Sequence, residues 1–341
     1  MGLTRKAIQE IDKSNMGQLI REFPLQFAKG LSIGRGVPIK GKVARVIVTG
    51  MGGSALPADI LDLHLGPISV PLEICRDYRA RSKLTRRTLV LASSFSGNTE
   101  ETISSFKRAR KAGAKIVAIT SGGELESLAQ KAGAHVALIP ECTDTFQPRL
   151  AAGYFFSIYA GILETLGLVS FKKKVLEKLP AFLDEQMKDL DRQGRSLARQ
   201  LVGKIAIFYA PDAYGRSVSR INKIKVNENA KSPAFWNAIP EMNHNEMQGF
   251  AFETYPLHFV FIHDPAACDS IQDRFKILGR KLKKKGYKIT NFIMPGETNL
   301  EKAFAGLLYG DWASYYLALL RGIDPTPVDF IEDFKRALKK A

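Results

Sequence analysis

The stretch Thr88-Leu-Val-Leu-Ala-Ser-Ser-Phe-Ser-Gly-Asn-Thr-Glu-Glu101 decides how this chain folds. An apolar, β-rich run from Thr88 to Ala92 empties into a loop of short hydroxyls, and a helix start follows. Ser94, Ser96 and Thr99 supply three hydroxyls, and Gly97 permits a tight turn that aims backbone N–H groups at one spot. Free N–H groups and the positive end of a helix dipole suit an anion, phosphate above all. The plainer alternative is an N-capped strand-to-helix loop without a ligand.

The same alternation runs outward through the chain. Strands are predicted at Ala44–Thr49, Pro71–Cys75, Thr88–Ser93, Lys115–Thr120 and His135–Ile139, then at Lys204–Tyr209, Ala234–Ile239, Leu257–Ile262 and Lys288–Ile293. Most are continuous apolar runs, the pattern of strands covered on both faces, and helical segments separate many of them. Helices are predicted at Glu124–Ala132, Ala151–Leu166 and Lys173–Gln200. The fold class is therefore α/β: two parallel sheets, each flanked by helices in three layers. The expected division is an N-terminal helical segment over 1–40, a first α/β domain over 41–170, a helical spacer over 171–200, and a second domain with C-terminal helices over 201–341. A ligand is expected at strand carboxyl ends.

A chain of 341 residues is long enough for two domains with separate cores. Hydrophobic residues at 45% and charged residues at 25% exclude a disordered chain. The first residues, Met-Gly-Leu-Thr-Arg-Lys-Ala, contain no signal-peptide core. No uncharged apolar stretch approaches the roughly 20 residues of a membrane span. Cys75, Cys142 and Cys268 are too few and too scattered for a disulfide framework or a zinc site. A cytoplasmic protein with no membrane partner is the expectation. The net charge of +16 raises nucleic acid as a partner. Yet Lys172-Lys173-Lys174 and Lys281-Leu-Lys-Lys-Lys285 sit at the ends of helical patterns, and no nucleic-acid-binding motif accompanies them, so none is expected to bind.

Four further segments bear on chemistry. Thr49-Gly-Met-Gly-Gly-Ser-Ala55 closes the first strand, with Gly50, Gly52 and Gly53 allowing close backbone approach and Ser54 adding a hydroxyl. It departs from a dinucleotide fingerprint in lacking the third glycine, and Arg76 follows the next strand where a ribose-binding acid is wanted. Pro148-Arg149 starts a helix near Leu150. Arg149 is either an exposed residue at a helix start or a guanidinium held beside a ligand oxygen. In Asn222–Gly249, Glu228 ends an amphipathic helical pattern (Val218, Ile221, Ile224, Lys225), and Asn243-His244-Asn245-Glu246 follows. Glutamate and histidine are natural proton handlers near neutral pH, though each is equally a solvated surface residue when taken alone. No metal-ligand spacing and no nucleophile elbow occurs, so neither metal nor cofactor is expected.

Taken together, Gly50-Met-Gly-Gly-Ser54, Ser94-Phe-Ser-Gly-Asn-Thr99, Pro148-Arg149, Asn227-Glu228-Asn229-Ala-Lys231, Asn243-His244-Asn245-Glu246 and the tail Asp324-Pro-Thr-Pro-Val-Asp-Phe-Ile-Glu-Asp-Phe-Lys335 resemble one family. It is that of the bifunctional phosphoglucose/phosphomannose isomerases, built from two sugar isomerase (SIS) domains, and the resemblance covers nearly the whole chain. It implies a phosphate cradle of Ser94, Ser96 and Thr99, with Gly53 and Ser54 also touching the sugar phosphate. It implies catalytic roles for Glu228, Arg149, His244 and Lys335, with the histidine supplied by the neighbouring subunit of a homodimer with shared sites. A short residue near the tail, Thr326 or Val328, would give the room that two epimeric aldoses need. The implied reaction interconverts glucose 6-phosphate, and mannose 6-phosphate, with fructose 6-phosphate through a cis-enediolate. Two other readings stand beside it: a narrower SIS isomerase on another sugar phosphate, and a non-catalytic SIS regulator that binds one.

Overall fold

A computed structural model describes residues 3–140, 145–169, 173–252 and 255–338. Cys142 and Lys172, together with the proposed domain boundary at 170–171, lie outside the described residues. The chain divides into two compact units: Arg21–Glu185 with Gly296–Ala303, and Met1–Ile20 with Gln186–Pro295 and Phe304–Ala341.

The first unit holds strands β1 (Arg45–Thr49), β2 (Leu72–Cys75), β3 (Thr88–Ser93), β4 (Lys115–Thr120) and β5 (His135–Leu138). They pair in parallel in the order β2-β1-β3-β4-β5. The decisive run Thr88–Ser93 thus lies in the middle of the sheet, with all six residues buried. Its register sets Leu89 beside Val46 and Leu91 beside Val48. The expectation of strands covered on both faces fails at the edge: in β5 only Ala137 is fully buried. Among the described residues, helices α1 (Arg5–Ile11) and α2 (Met16–Arg21) precede α3 (Leu25–Arg35), and α4 (Leu56–His64), α5 (Glu100–Lys111) and α6 (Gly123–Lys131) follow β1, β3 and β4. Helix α7 (Ala152–Thr165) is buried all round from Ala152 to Leu163 and packs on α3 and α4. Ile47, Val90, Phe106, Ile116 and Leu125 pack into one core between the sheet and α5 and α6. The predicted start of α7 at Leu150 is corrected: Pro148–Leu150 forms a separate 3-10 turn, and the α-helix begins two residues later.

Helix α8 (Lys173–Leu201) passes from the first unit to the second after Glu185, and α12 (Asn299–Leu320) does so after Ala303. In the second unit β6 (Ile205–Pro211), β7 (Ala234–Ile239), β8 (Leu257–His263) and β9 (Lys288–Ile293) pair in parallel in the order β7-β6-β8-β9. Phe259 and Phe261 meet Phe275, Leu278 and Leu282 of α11 (Asp269–Lys284) on one face. The short α9 (Asp212–Tyr214) and a π-helical turn lead into α10 (Arg220–Ala230), and α13 (Asp329–Leu338) follows α12. Here a second correction arises. The apolar stripe expected of α10 is in fact a mixed one, for Asn222, Lys225 and Asn229 are buried with Ile221 and Val226. Lys225 Nζ meets Asp311 Oδ1 of α12 at 2.6 Å, and Asn229 donates to Ser314 Oγ at 2.9 Å.

Candidate active site

The turn after β1 and the loop after β3 emerge side by side, because these strands are neighbours. Their connections leave in opposite directions, to β2 and to β4, and the crevice at such a point is where α/β sheets bind ligands. Gly97 shapes the serine loop. Its φ is +68°, and a Cβ there would lie 1.8 Å from the Gly122 carbonyl oxygen. Gly123, at φ +77°, leaves the same room for Ser96 O. The loop is held from behind as well: Leu125 N–H donates to Gly97 O at 2.9 Å, and Ser121 N–H to Phe95 O at 3.0 Å. Such bracing fixes the hydroxyls before any ligand arrives.

Thr99 stands at the N-cap of α5 yet forms no side-chain capping bond. Its hydroxyl pairs instead with Ser94 Oγ at 2.8 Å. The first-turn N–H groups of α5 therefore lack that side-chain acceptor, which departs from the plain capped loop. Ser96 is exposed and Ser94 fully buried. Ser54 is buried, and its Oγ accepts from Phe95 N–H at 3.0 Å, tying the glycine turn to the serine loop. Tyr159 donates to Ser54 O at 2.9 Å and to Ser93 Oγ at 2.7 Å, and burial pushes its phenol pKa up. Gly53 packs against the Pro148–Arg149 peptide, where a Cβ would come within 2.6 Å of Pro148 O.

That contact brings Arg149 to the same corner. It is not the exposed residue of the plainer alternative: it is 2% exposed, with Nη1 donating to Gln147 Oε1 at 3.0 Å. Arg76, where a nucleotide site would want an acid nearby, reaches back to Asp59 of α4 at 2.7 Å and serves to lock β2 to that helix. So Gly53, Ser54, Ser94, Ser96, Thr99 and Arg149 belong to one unit and, apart from exposed Ser96, interlock through these contacts.

Glu228, His244 and Lys335 belong to the other unit. Glu228 is half-buried near the C-terminus of α10. That end is closed by Lys231, a left-handed residue at φ 49° whose ammonium donates to Asn229 O, Asp324 O and Pro325 O at 3.1, 2.8 and 2.9 Å. Arg321 adds a bond to Ala230 O. Two of the quoted motifs, Asn227–Lys231 and Asp324–Lys335, thereby touch, and buried Thr326 follows directly on the clamped Pro325. His244 ends a 3-10 turn, Glu241–His244, beyond β7, and is exposed. Its segment is anchored by Glu246, whose carboxylate accepts from Tyr209 Oη and Asn237 Nδ2, each at 2.5 Å. Burial, reinforced by that carboxylate, pushes the Tyr209 phenol pKa up. Lys335 is exposed on α13 and pairs with Glu332 at 2.7 Å. Glu246 and Lys231 stood in the quoted motifs without a role, and Tyr209, Asn237 and Tyr159 lie inside strand and helix patterns where only tertiary contact reveals them.

Among the described residues no group of three or more His, Cys, Asp or Glu side chains could hold a metal ion, and no helix is long and apolar enough to cross a membrane.

Comparison with known proteins agrees with this layout. Residues 41–158 match the SIS domain family, and residues 190–338 match the bacterial phospho-glucose isomerase C-terminal SIS domain. A bifunctional phosphoglucose/phosphomannose isomerase of Caldicellulosiruptor bescii is 33% identical over 95% of this chain and 98% of its own. A D-glucosamine-6-phosphate 4-epimerase of Sulfolobus acidocaldarius is 32% identical over 64% of this chain and 67% of its own. Among solved structures, a hypothetical protein of Thermus thermophilus aligns with a TM-score of 0.74 at 15% identity, covering 98% of this chain and 92% of that one. With a relative this similar over almost its entire length, the chain belongs to the bifunctional phosphoglucose/phosphomannose isomerase family and is an isomerase.

Proposed function

We propose that the protein interconverts fructose 6-phosphate with glucose 6-phosphate and mannose 6-phosphate through a cis-enediolate. The observation that carries this reading is the α5 N-terminus without a side-chain cap, where the Thr99 hydroxyl pairs with Ser94 and exposed Ser96 lies on the same loop. That is a seat for a phosphate that does not react, and its grip orients the sugar. Glu228 takes the proton from C2 of the aldose, or C1 of the ketose, and returns it to the neighbouring carbon. Arg149 stabilises the enediolate oxygen, a charge present only along the reaction. His244 and Lys335 serve as acid and base in opening the ring. Gly53 and Ser54 line the phosphate end, Ser54 by holding the serine loop in place. No step in this scheme requires a metal or a cofactor. Thr326, buried next to the clamp below Glu228, is the stronger candidate for the residue that tolerates both epimers.

A homodimer with shared sites belongs to the same proposal, and it rests on the family resemblance, in which the histidine comes from the neighbouring subunit. Glu228 lies just before β7 and His244 just after it, and six strand residues extend about 17–20 Å at about 3.3 Å each. A separation of that order within one chain supports supply of His244 by a second copy. The family relative that epimerises glucosamine 6-phosphate favours a second reading, an enzyme acting on an amino sugar phosphate. One assay separates the two: fructose, glucose, mannose and glucosamine 6-phosphates are supplied side by side in EDTA. Turnover of the first three, with proton exchange at C2 lost in Glu228→Gln, supports the proposal. Turnover of glucosamine 6-phosphate alone, or of none, overturns it.

A further inference from the structure

The connection from β2 to β3, Arg76 to Arg87, contains no helix, unlike the connections after β1, β3 and β4. Ala80 and Leu84 of this connection pack against the core that contains Ile47 and Val90, and a cavity of about 470 Å³ remains beneath the loop. Its volume is that of a small-molecule site. It lies wholly within the first unit.

Five cationic side chains line it: Arg79, Arg81 and Lys83 from the loop, Arg108 and Lys111 from α5. None of them forms an ion pair among the described residues. No carboxylate is part of the lining, and Glu73, close by, is occupied by Arg81 N–H at 2.7 Å and Ser82 N–H at 3.1 Å. On the floor, Thr49 is 1% exposed, and its Oγ1 has no hydrogen-bond partner. Burial pushes the neighbouring Cys75 thiol pKa up, so the floor contributes no competing negative charge. A buried hydroxyl without a partner is costly, and the five cations, all exposed, repel one another more weakly through water. One occupant relieves both costs.

We propose that this cavity is a binding site, separate from the serine loop, for a small anion bearing at least two phosphate-type charges. Three arginines favour forked contacts to phosphate oxygens, the two lysines add charge, and Thr49 supplies a hydroxyl at the deep end. A single phosphate uses only part of this set. The inference does not depend on the reaction proposed above.

The test is titration calorimetry of the full chain at low salt, with inorganic pyrophosphate and orthophosphate as probes. The Ser96→Ala chain is measured in parallel, to weaken the serine loop as a competing site. Pyrophosphate is expected to bind Ser96→Ala about as well as the parent, at least tenfold tighter than orthophosphate. Arg81→Ser/Lys83→Ser/Arg108→Ser should lose tenfold or more in affinity, and Thr49→Val several-fold, with unfolding temperatures unchanged. Pyrophosphate affinity that survives both variants overturns the site. So does the absence of binding at millimolar concentration, or binding lost in Ser96→Ala alone.

Discussion

Replacing Lys225 with methionine removes the ammonium paired with the Asp311 carboxylate inside the second unit. The two side chains are 1% and 2% exposed and meet at 2.6 Å, so neither keeps its water once the partner is gone. Breaking such a pair from one side costs about 3–5 kcal/mol, while replacing both members with apolar residues of similar volume is often neutral or stabilising. Lys225→Met and Asp311→Leu are therefore each expected to lower stability by that amount, roughly a hundredfold or more in the folded-to-unfolded ratio. The double variant should return to within about 1 kcal/mol of the parent. The seam around the pair is tight: a Cβ on Gly310 would lie 2.0 Å from Asn222 Oδ1. Trp312 follows Asp311 on the same helix and stacks on Tyr316, so its fluorescence reports this region. The chain's other tryptophan, Trp236, can be changed to phenylalanine to isolate the signal. Urea midpoints should fall by about 1 M or more in the single variants, taking a slope of about 3 kcal/mol/M. Single variants within 1 kcal/mol of the parent, or a double variant as unstable as the sum of its parts, would refute the reasoning.

Three more outcomes can be checked. Gly97→Ala puts a methyl group onto the Gly122 carbonyl in a left-handed turn; the Michaelis constant for fructose 6-phosphate should rise tenfold or more, and an unchanged value removes the loop from phosphate binding. Arg149→Lys keeps the charge but loses the planar fork, so kcat should fall about 10- to 100-fold with little change in the Michaelis constant; the reverse pattern would make Arg149 a phosphate ligand. His258 is held at a pKa of about 4, mainly by burial and further by Lys204 and Lys288. Its unfolded value is near 6.5, so as pH falls from 6.5 to 4 only the unfolded chain takes up the proton. Stability is fully present above 6.5 and declines by about 3 kcal/mol by pH 4, where the loss levels off. His258→Gln should flatten that slope in denaturant titrations, and a slope unchanged from the parent would assign it to other groups.

Much of the fold was legible because apolar runs such as Thr88–Ser93 are short and bounded by turn residues, which suits a buried strand better than a helix. Strand ends such as Lys115–Thr120 and Ala234–Ile239 came out where the apolar pattern stops. The loops at the ends of β1 and β3 were legible too, since glycine and serine there have a local cause. What stayed hidden is everything that needs distant partners. The burial of Lys225 rests on Asp311, far along the chain, and that of Arg149 on the corner where Gly53 packs against its peptide, and neither contact can be read from the local pattern. Ser54 reads as a free hydroxyl until Phe95 N–H, 41 residues away, occupies it. The missing helix between β2 and β3 is equally silent, because a loop rich in arginine resembles any exposed connection.

The clamp of Lys231 has a consequence for shortened chains. Two of the three carbonyls that it holds, Asp324 O and Pro325 O, come from the tail, and the third is its own helix's Asn229 O. Trimming the protein ahead of Asp324 to delete α13 would release the ammonium from both tail acceptors and loosen the helix end that carries Glu228. Lost activity in such a truncation would report an unlatched base as much as an absent Lys335, and only a point change at Lys335 separates the two.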